Sequence, residues 1–278
     1  MTEYPTLSGE TLVVPIIGDP IAQVKSPDGV TRTFAARGCN AVVVPLQVAP
    51  ADFDALIAGV SRSSSVGGLI ATVPHKFGLV AHCATLTDRA RYLGSVNVAR
   101  RNPDGSWHGD QVDGAAFVAA VRAAGGVPEG ARALQVGAGG AGSAIALALL
   151  EAGVAELALH DADPTRRDAL IGRLRERVGD RVSCASSPGK SPDPTGFDLV
   201  ANATPMGMRP GDPYPVDVTS LKPDTFVGDV VTKPAVPPLI EAARQVGCRT
   251  STGGDMFATV AGLIADFLLA EGPLRSTR

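Results

Sequence analysis

Short apolar runs alternate with helix-period stretches along the N-terminal part of the chain. Leu12 to Gly18 is followed by Pro27 to Arg37, Ala41 to Val48 by Ala51 to Ser61, and Gly68 to Val73 by Lys76 to Cys83. β-Branched runs bounded by Gly and Pro and joined by helices predict βαβ units around a largely parallel sheet. A last apolar run, Ser95 to Arg101, meets the turn Asn102-Pro103-Asp104-Gly105-Ser106, whose Pro and Asp-Gly chemistry links it to a second strand through Trp107. An amphipathic helix follows over Ala115 to Ala124. The pattern then restarts: a strand from Ala133 to Val136, a helix from Ser143 to Ala152, and a strand from Ala155 to Asp161. Later strands are expected at Asp198 to Ala201 and Thr225 to Val231, separated by the Pro/Gly-rich loop Thr204 to Pro215. Ser186 to Gly196 reads as a mobile connection. The strongly apolar helix Met256 to Ala270 either caps the second sheet or crosses back to the first domain.

Between the restarting strand and its helix stands Gly137-Ala138-Gly139-Gly140-Ala141-Gly142, a Gly-x-Gly-x-x-Gly turn in the order of a dinucleotide-binding crossover. Gly137 makes the tight turn, Gly139 lets the backbone approach a pyrophosphate, and Gly142 lets the helix pack on the strand. The helix N-terminus offers N–H groups and a positive dipole end to phosphates. Asp161 ends the next strand a little beyond the roughly 20 residues at which a ribose-binding carboxylate is expected. A carboxylate there repels a 2′-phosphate, so the local chemistry favours NAD over NADP. Arg166 and Arg167 follow on the next helix as the alternative holders of that phosphate, and Asp161 also reads as a cap or turn residue.

At 278 residues the chain is long enough for two domains, and its net charge of −3 with no basic cluster gives no footprint for nucleic acid or an anionic membrane. No apolar run reaches the length of a membrane span and the N-terminus lacks a signal-peptide layout, so the expected address is the cytoplasm. Cys39, Cys83, Cys184 and Cys248 are scattered, and His75, His82, His108 and His160 show no ligand spacing. Neither a disulfide framework nor a metal site is expected.

Three polar residues sit where a bland fold would not put them. Pro74 suits a first helical position, which would put Lys76 in a first helical turn where the dipole disfavours a cation. That dipole would favour loss of the lysine proton, as a general base for an alcohol requires; the alternative is a solvent-exposed lysine at a helix start. Asn97 lies within the apolar run Ser95-Val96-Asn97-Val98-Ala99, as a satisfied core amide or a ligand to substrate hydroxyls. Asp113 precedes a helix, where an N-cap is the default.

With their neighbours, these residues resemble the shikimate/quinate dehydrogenases over nearly the whole chain. Gly18-Asp19-Pro20-Ile21-Ala22-Gln23-Val24-Lys25-Ser26-Pro27 matches that family's N-terminal pattern, and Ile70-Ala71-Thr72-Val73-Pro74-His75-Lys76 its catalytic-lysine motif. Gly94-Ser95-Val96-Asn97, Gln111-Val112-Asp113-Gly114 and Asn202-Ala203-Thr204-Pro205-Met206-Gly207-Met208 match three more. The resemblance implies two α/β domains: a mostly parallel substrate-binding domain at 1–113, completed by a returning helix in 254–278, and a Rossmann domain at 114–253. It implies hydride transfer between nicotinamide and a ring hydroxyl, with Lys76 taking the proton and Asp113 supporting it. Ser26, Thr72 and Asn97 would hold the substrate. Gly137, Ala138, Gly139, Gly140, Ala141, Asp161, Ala203, Thr204, Pro205, Met208, Val230, Gly253 and Met256 would hold the cofactor. Four departures stand at substrate positions: Val24 for a serine, Ile70 for an asparagine, Thr232 for a tyrosine and Val260 for a glutamine. Losing polar partners disfavours a polar substrate. The expected activity is that of an NAD-preferring shikimate dehydrogenase-like oxidoreductase acting on shikimate, quinate or a related, less polar hydroxy acid. The rivals are an NAD-binding sensor with little turnover and an NADP-dependent biosynthetic shikimate dehydrogenase. The prior for its assembly is a symmetric homodimer.

Overall fold

The computed structural model describes residues 6–185 and 191–277. Its contacts divide the chain into two compact units, Met1–Val112 with Val260–Arg278, and Asp113–Thr259.

The first unit is built on a six-stranded sheet of β1 (Leu12–Gly18), β2 (Ala41–Gln47), β3 (Gly68–Ala71), β4 (Cys83–Leu86), β5 (Val98–Arg101) and β6 (Trp107–Asp110), in the order β2-β1-β3-β5-β6-β4. β1 runs parallel to β2 and β3, and β4 parallel to β6, while β5 is antiparallel to β3 and β6. The β5–β6 connection is the Pro/Asp-Gly turn, with the Gly105 N–H donating to the Asn102 carbonyl at 2.9 Å. Helices α1 (Ser26–Ala36), α2 (Phe53–Val60) and α3 (Asp88–Leu93) join the strands. Pro27 stands in the first turn of α1, where a missing N–H is no loss. Thr87 caps α3 by accepting the Ala90 N–H, and Gly94 ends it at φ 60°. The core gathers Ile17, Phe53, Ile57, Leu69, Leu79, Val96 and Trp107.

In the second unit all six strands are parallel, in the order β12-β11-β10-β7-β8-β9. They are β7 (Arg132–Val136), β8 (Glu156–His160), β9 (Val182–Cys184), β10 (Leu199–Asn202), β11 (Phe226–Asp229) and β12 (Arg249–Ser251). The helices are α4 (Asp113–Ala123), α5 (Gly140–Glu151), α6 (Pro164–Val178) and α7 (Pro238–Val246). Helices α4 and α5 meet backbone to backbone: a Cβ on Gly114 would fall 2.1 Å from the Ala144 carbonyl oxygen. A run of small residues at that point is what the close approach demands.

The last helix, α8 (Gly253–Ala270), is long and apolar enough to cross a membrane by length and composition, against the expectation that no run is. It carries Asp255 and Asp266 and buries Ile264, Ala265, Leu268 and Leu269. Its C-terminal part packs within the first unit, where Asp266 pairs with Arg37 at 2.5 Å and Phe267 stacks on His108. These contacts are those of a core helix.

One further sequence expectation differs from the structure and another is only partly covered by it. The stretch expected as a helix from Lys76 to Cys83 is a turn followed by a short 3-10 segment, Gly78–His82, and then β4. The predicted connection from Ser186 to Gly196 falls partly on 186–190, outside the described residues; Ser191, just after it, donates to the Tyr214 carbonyl at 2.7 Å.

Candidate active site

In the first unit the polar candidates cluster around the end of β3. The Thr72 N–H donates to the Ile17 carbonyl, the His75 N–H to the Thr72 carbonyl, and the Asp19 N–H to the Val73 carbonyl, at 2.8 to 2.9 Å. Gly18 is required beside this turn, since a Cβ there would come within 2.4 Å of the Thr72 methyl group. The buried His75 ring stacks on Phe53 with centroids 4.4 Å apart, and its Nε2 lies 2.8 Å from the Val48 carbonyl. Lys76 follows, buried, its own carbonyl accepting the Val96 N–H at 2.8 Å. Lys76 thus follows directly on the anchored His75, and its backbone is tied to the segment that leads to Asn97. With no α-helix behind Lys76, the dipole argument of the sequence reading lapses, and so does the picture of an exposed lysine at a helix start.

Asn97 is 3% exposed and serves as a junction: its Oδ1 accepts the Val112 N–H at 3.0 Å, its N–H donates to the Asp110 carbonyl, and its carbonyl accepts the Ala71 N–H. It ties the residue before Asp113 to the strand that leads into Thr72. Next to it, the Asp110 carboxylate accepts hydrogen bonds from Arg89, Thr87 and the Gln111 N–H. Burial alone would raise its pKa, and these donors together bring it below the usual carboxylate range. Ser26 is buried at the start of α1, Val24 is half-buried in the turn before it, and Ile70 is 3% exposed inside β3.

In the second unit the chemistry gathers at the carboxyl ends of β7, β10 and β11, where open α/β sheets bind ligands. Gly137 has φ 106°, and its missing Cβ would strike the Ala203 backbone at 2.8 Å. Gly142 faces the Gly137 carbonyl oxygen, 2.2 Å from where a Cβ would stand. Gly139, by contrast, faces open space, with nothing within 4 Å of an added Cβ. Gly139 is the N-cap of α5 without a side-chain cap, so the helix's leading N–H groups at Gly140 and Ala141 have no intrahelical acceptors. A cradle that is open at one glycine and closed at two others, lined by N–H donors, fits a dinucleotide pyrophosphate.

Asp161 spends its carboxylate on the protein. Oδ2 accepts the Ala138 N–H at 2.7 Å and Oδ1 the Asp163 N–H at 2.8 Å. Arg166, half-exposed, stands 3.7 Å from the same carboxylate, whereas Arg167 is engaged by Asp168 at 2.8 Å. Asp163 caps α6 by accepting the Thr165 and Arg166 N–H groups.

The loop after β10 is organised by Asn202, fully buried. Its Oδ1 accepts from the Thr204 N–H and hydroxyl, at 3.0 and 2.6 Å, and its amide donates to Asp229 Oδ1 and the Met206 carbonyl. The Met208 N–H donates to the Pro205 carbonyl. Val230 and Thr232 are half-buried after β11, and Gly253 packs so tightly on this segment that a Cβ would lie 2.4 Å from the Val231 carbonyl oxygen. Met256, half-buried, sits in the first turn of α8, and Val260 is 8% exposed further along. Sequence reading missed Asp229. Its signal was the one that marked Asn97, a polar residue inside an apolar run.

Residues 16–99 match the family model described as the shikimate dehydrogenase substrate binding domain. The chain is 39% identical over 250 residues to a shikimate dehydrogenase (NADP(+)) of Rubrobacter xylanophilus, covering 90% of this chain and 87% of that protein. This chain belongs to the shikimate dehydrogenase family. A second relative, the shikimate dehydrogenase (NADP(+)) of Moorella thermoacetica, is 33% identical, with 90% and 85% covered. Among solved structures, the quinate dehydrogenase of Corynebacterium glutamicum in complex with NAD superposes with a TM-score of 0.82 at 28% identity, covering 96% and 97% of the two chains. The chain is thus a shikimate dehydrogenase-like, NAD(P)-dependent oxidoreductase acting on CH–OH groups, with the two-domain α/β fold of that family. Membership sets aside the reading as a sensor with little turnover.

The expectation of NAD with NADP less favoured is corrected by these relatives, which are named for NADP(+). The structure supplies the physical reason: both Asp161 oxygens hold backbone N–H groups, and a guanidinium, Arg166, stands beside them. Among the described residues no group of three His, Cys, Asp or Glu side chains is arranged to hold a metal ion.

Proposed function

We propose that this protein is an NADP-dependent shikimate dehydrogenase, catalysing reversible hydride transfer at a ring hydroxyl of shikimate or a closely related hydroxy acid. The observation that carries this reading is the buried Lys76 in the turn after β3, its carbonyl bonded by the Val96 N–H, within the span that matches a shikimate dehydrogenase substrate binding domain. Lys76 takes the proton of the hydroxyl being oxidised and returns it in the reverse direction. Asp113, buried at the start of α4, orients the ammonium and offsets its charge. Ser26, Thr72 and Asn97 hold the substrate, and Val24, Ile70 and Val260 in the same unit offer it fewer hydrogen bonds than polar side chains would.

The bound cofactor supplies the hydride acceptor. Gly137 to Ala141 and the N-terminus of α5 hold its pyrophosphate. Arg166 pairs with the 2′-phosphate, and Ala203, Thr204, Pro205, Met208, Val230, Gly253 and Met256 line the nicotinamide side. As a cytoplasmic enzyme it would form a symmetric homodimer, which light scattering tests directly.

The test is reduced-nicotinamide absorbance with NADP and NAD in parallel against shikimate, quinate and deoxy analogues. Lysine-dependent turnover is expected with NADP, and Lys76→Ala abolishes it while retaining cofactor binding. Arg166→Ala raises KM for NADP about tenfold or more and leaves NAD unaffected, the loss of one charge-assisted pair. Turnover that survives Lys76→Ala, or NAD outperforming NADP, would overturn the respective half of the reading.

A further inference from the structure

Asp229 is a buried carboxyl that the proposed chemistry does not use, and unlike Asp110 it has no guanidinium beside it. It ends β11 opposite Asn202 of β10 and is 1% exposed. Its Oδ1 accepts two hydrogen bonds, from the Val231 N–H at 2.8 Å and the Asn202 amide at 3.1 Å, while its Oδ2 is buried with no hydrogen-bond partner. A buried polar atom without a partner is costly and requires a reason.

The reason lies in what the other oxygen organises. Asn202 is the hub of the loop after β10: it sets the Thr204 N–H and hydroxyl and the Met206 carbonyl, and the Thr204 hydroxyl in turn accepts the Met206 N–H at 3.1 Å. Its tie to Asp229 connects that side-chain hub to the neighbouring strand. The same Oδ1 also sets the Val231 N–H, so one oxygen joins the loop after β10 to the segment after β11. We propose that Asp229 is a positioning residue for hydride transfer, fixing through Asn202 the loop Ala203–Met206 and through Val231 the segment that follows β11. This rests on the reading of those two segments as the nicotinamide side of the cofactor site.

The environment makes the tie sensitive to protonation. Burial pushes the Asp229 carboxyl up to about 7, against the Val231 and Asn202 hydrogen bonds that pull it down. No charged group enters this balance. Asn202 from β10 stands beside Asp229, and the apolar face of α7 formed by Leu239, Ile240 and Ala243 clusters with Val227 two residues earlier on the same strand; Phe117 from α4 and Ser251 from β12 lie against the intervening Gly228. Lys233 is exposed, and Asp255 on α8 is exposed and turned to Thr252. A neutral acid holds the arrangement dry, and ionisation favours a loosened, hydrated one.

The experiment is backbone hydrogen exchange of the cofactor-free protein at Thr204, Met206 and Val231, from pH 6 to pH 8 and corrected for intrinsic rates, beside single-turnover hydride transfer. Asp229→Ala is expected to speed exchange at these three positions about tenfold and to slow hydride transfer with KM for the hydroxy acid unchanged. Asp229→Asn, which keeps an oxygen acceptor and never ionises, restores exchange protection and recovers most of the rate lost in Asp229→Ala. Wild-type exchange rises through pH 7 and that of Asp229→Asn does not. Unchanged exchange in Asp229→Ala overturns the proposal. So does an Asp229→Asn protein that keeps the wild-type pH profile, a comparison that stands even if the alanine variant does not fold. Faster exchange with unaltered hydride transfer overturns it differently, by removing the nicotinamide reading of these segments while leaving the tie itself in place.

Discussion

Gly139 and Gly142 belong to one motif and face opposite surroundings, so the same substitution at the two positions separates folding from cofactor binding. In Gly142→Ala the new Cβ would sit 2.2 Å from the Gly137 carbonyl oxygen and 2.8 Å from its carbon, where ordinary contact begins at 3.4 Å. The obstacle is backbone, which no rotamer change can clear, so α5 has to shift off the loop by about an ångström. Overpacking of this kind costs about 1–3 kcal/mol, and the better helix propensity of alanine returns about 1 kcal/mol. With a rigid carbonyl as the obstacle the upper end applies, leaving a net loss of about 2 kcal/mol, close to thirtyfold in the folding constant. Gly139→Ala meets nothing within 4 Å, and its φ of −71° suits any residue. It is expected to leave stability within about 0.5 kcal/mol of wild type and to weaken cofactor binding, because the methyl group occupies the space where a pyrophosphate approaches. Urea denaturation followed by circular dichroism gives the stabilities, and calorimetric titration with NADP gives the affinities. A Gly142→Ala protein as stable as wild type, or a Gly139→Ala protein with unaltered NADP affinity, would refute the reasoning.

Three further outcomes follow from the same geometry. The Asp229 carboxyl ionises near the ordinary 3.8 when unfolded but holds its proton to about 7 when folded, so stability is full below about pH 4, falls as pH rises to 7 and is level above it; between pH 5 and pH 8 that fall is about 3 kcal/mol, and Asp229→Asn should remove it, read by denaturation at those two pH values. Burial pushes the Cys83 thiol up to about 12, whereas Cys184 is exposed. A thiol reagent at pH 8 should therefore find one fast site in the native protein, abolished by Cys184→Ser. His75→Ala loses the Phe53 stack and the bond to the Val48 carbonyl, which should cost about 2 kcal/mol and lower lysine-dependent turnover although Lys76 itself is untouched.

What was legible in the sequence is what short-range physics encodes. The period-two and helical-period runs gave the strands β1, β2, β7 and β8 and the helices α1 and α5 close to their observed limits, because each pattern is set by neighbours within a turn or two. The glycine spacing around Gly137 and Gly142 was readable for the same reason, since the tight turn and the helix entry are local. Lys76 and Asn97 stood out as polar residues in places where local rules disfavour them, Asp113 entered with them at a helix start where a cap is the default, and all three are buried. Only the tertiary structure decided what they and their neighbours touch. Lys76 is held by Val96 from beyond an intervening strand and helix, without the α-helix that its local sequence suggested. Asp161 has the position of a ribose ligand, yet its oxygens go to Ala138 and Asp163, a choice made by the packing of β8 against the glycine loop. Asp229 acquires its character from burial and from Asn202, 27 residues away in the chain. The solvation and partners of a side chain depend on which distant segments fold around it, and no local pattern carries that information.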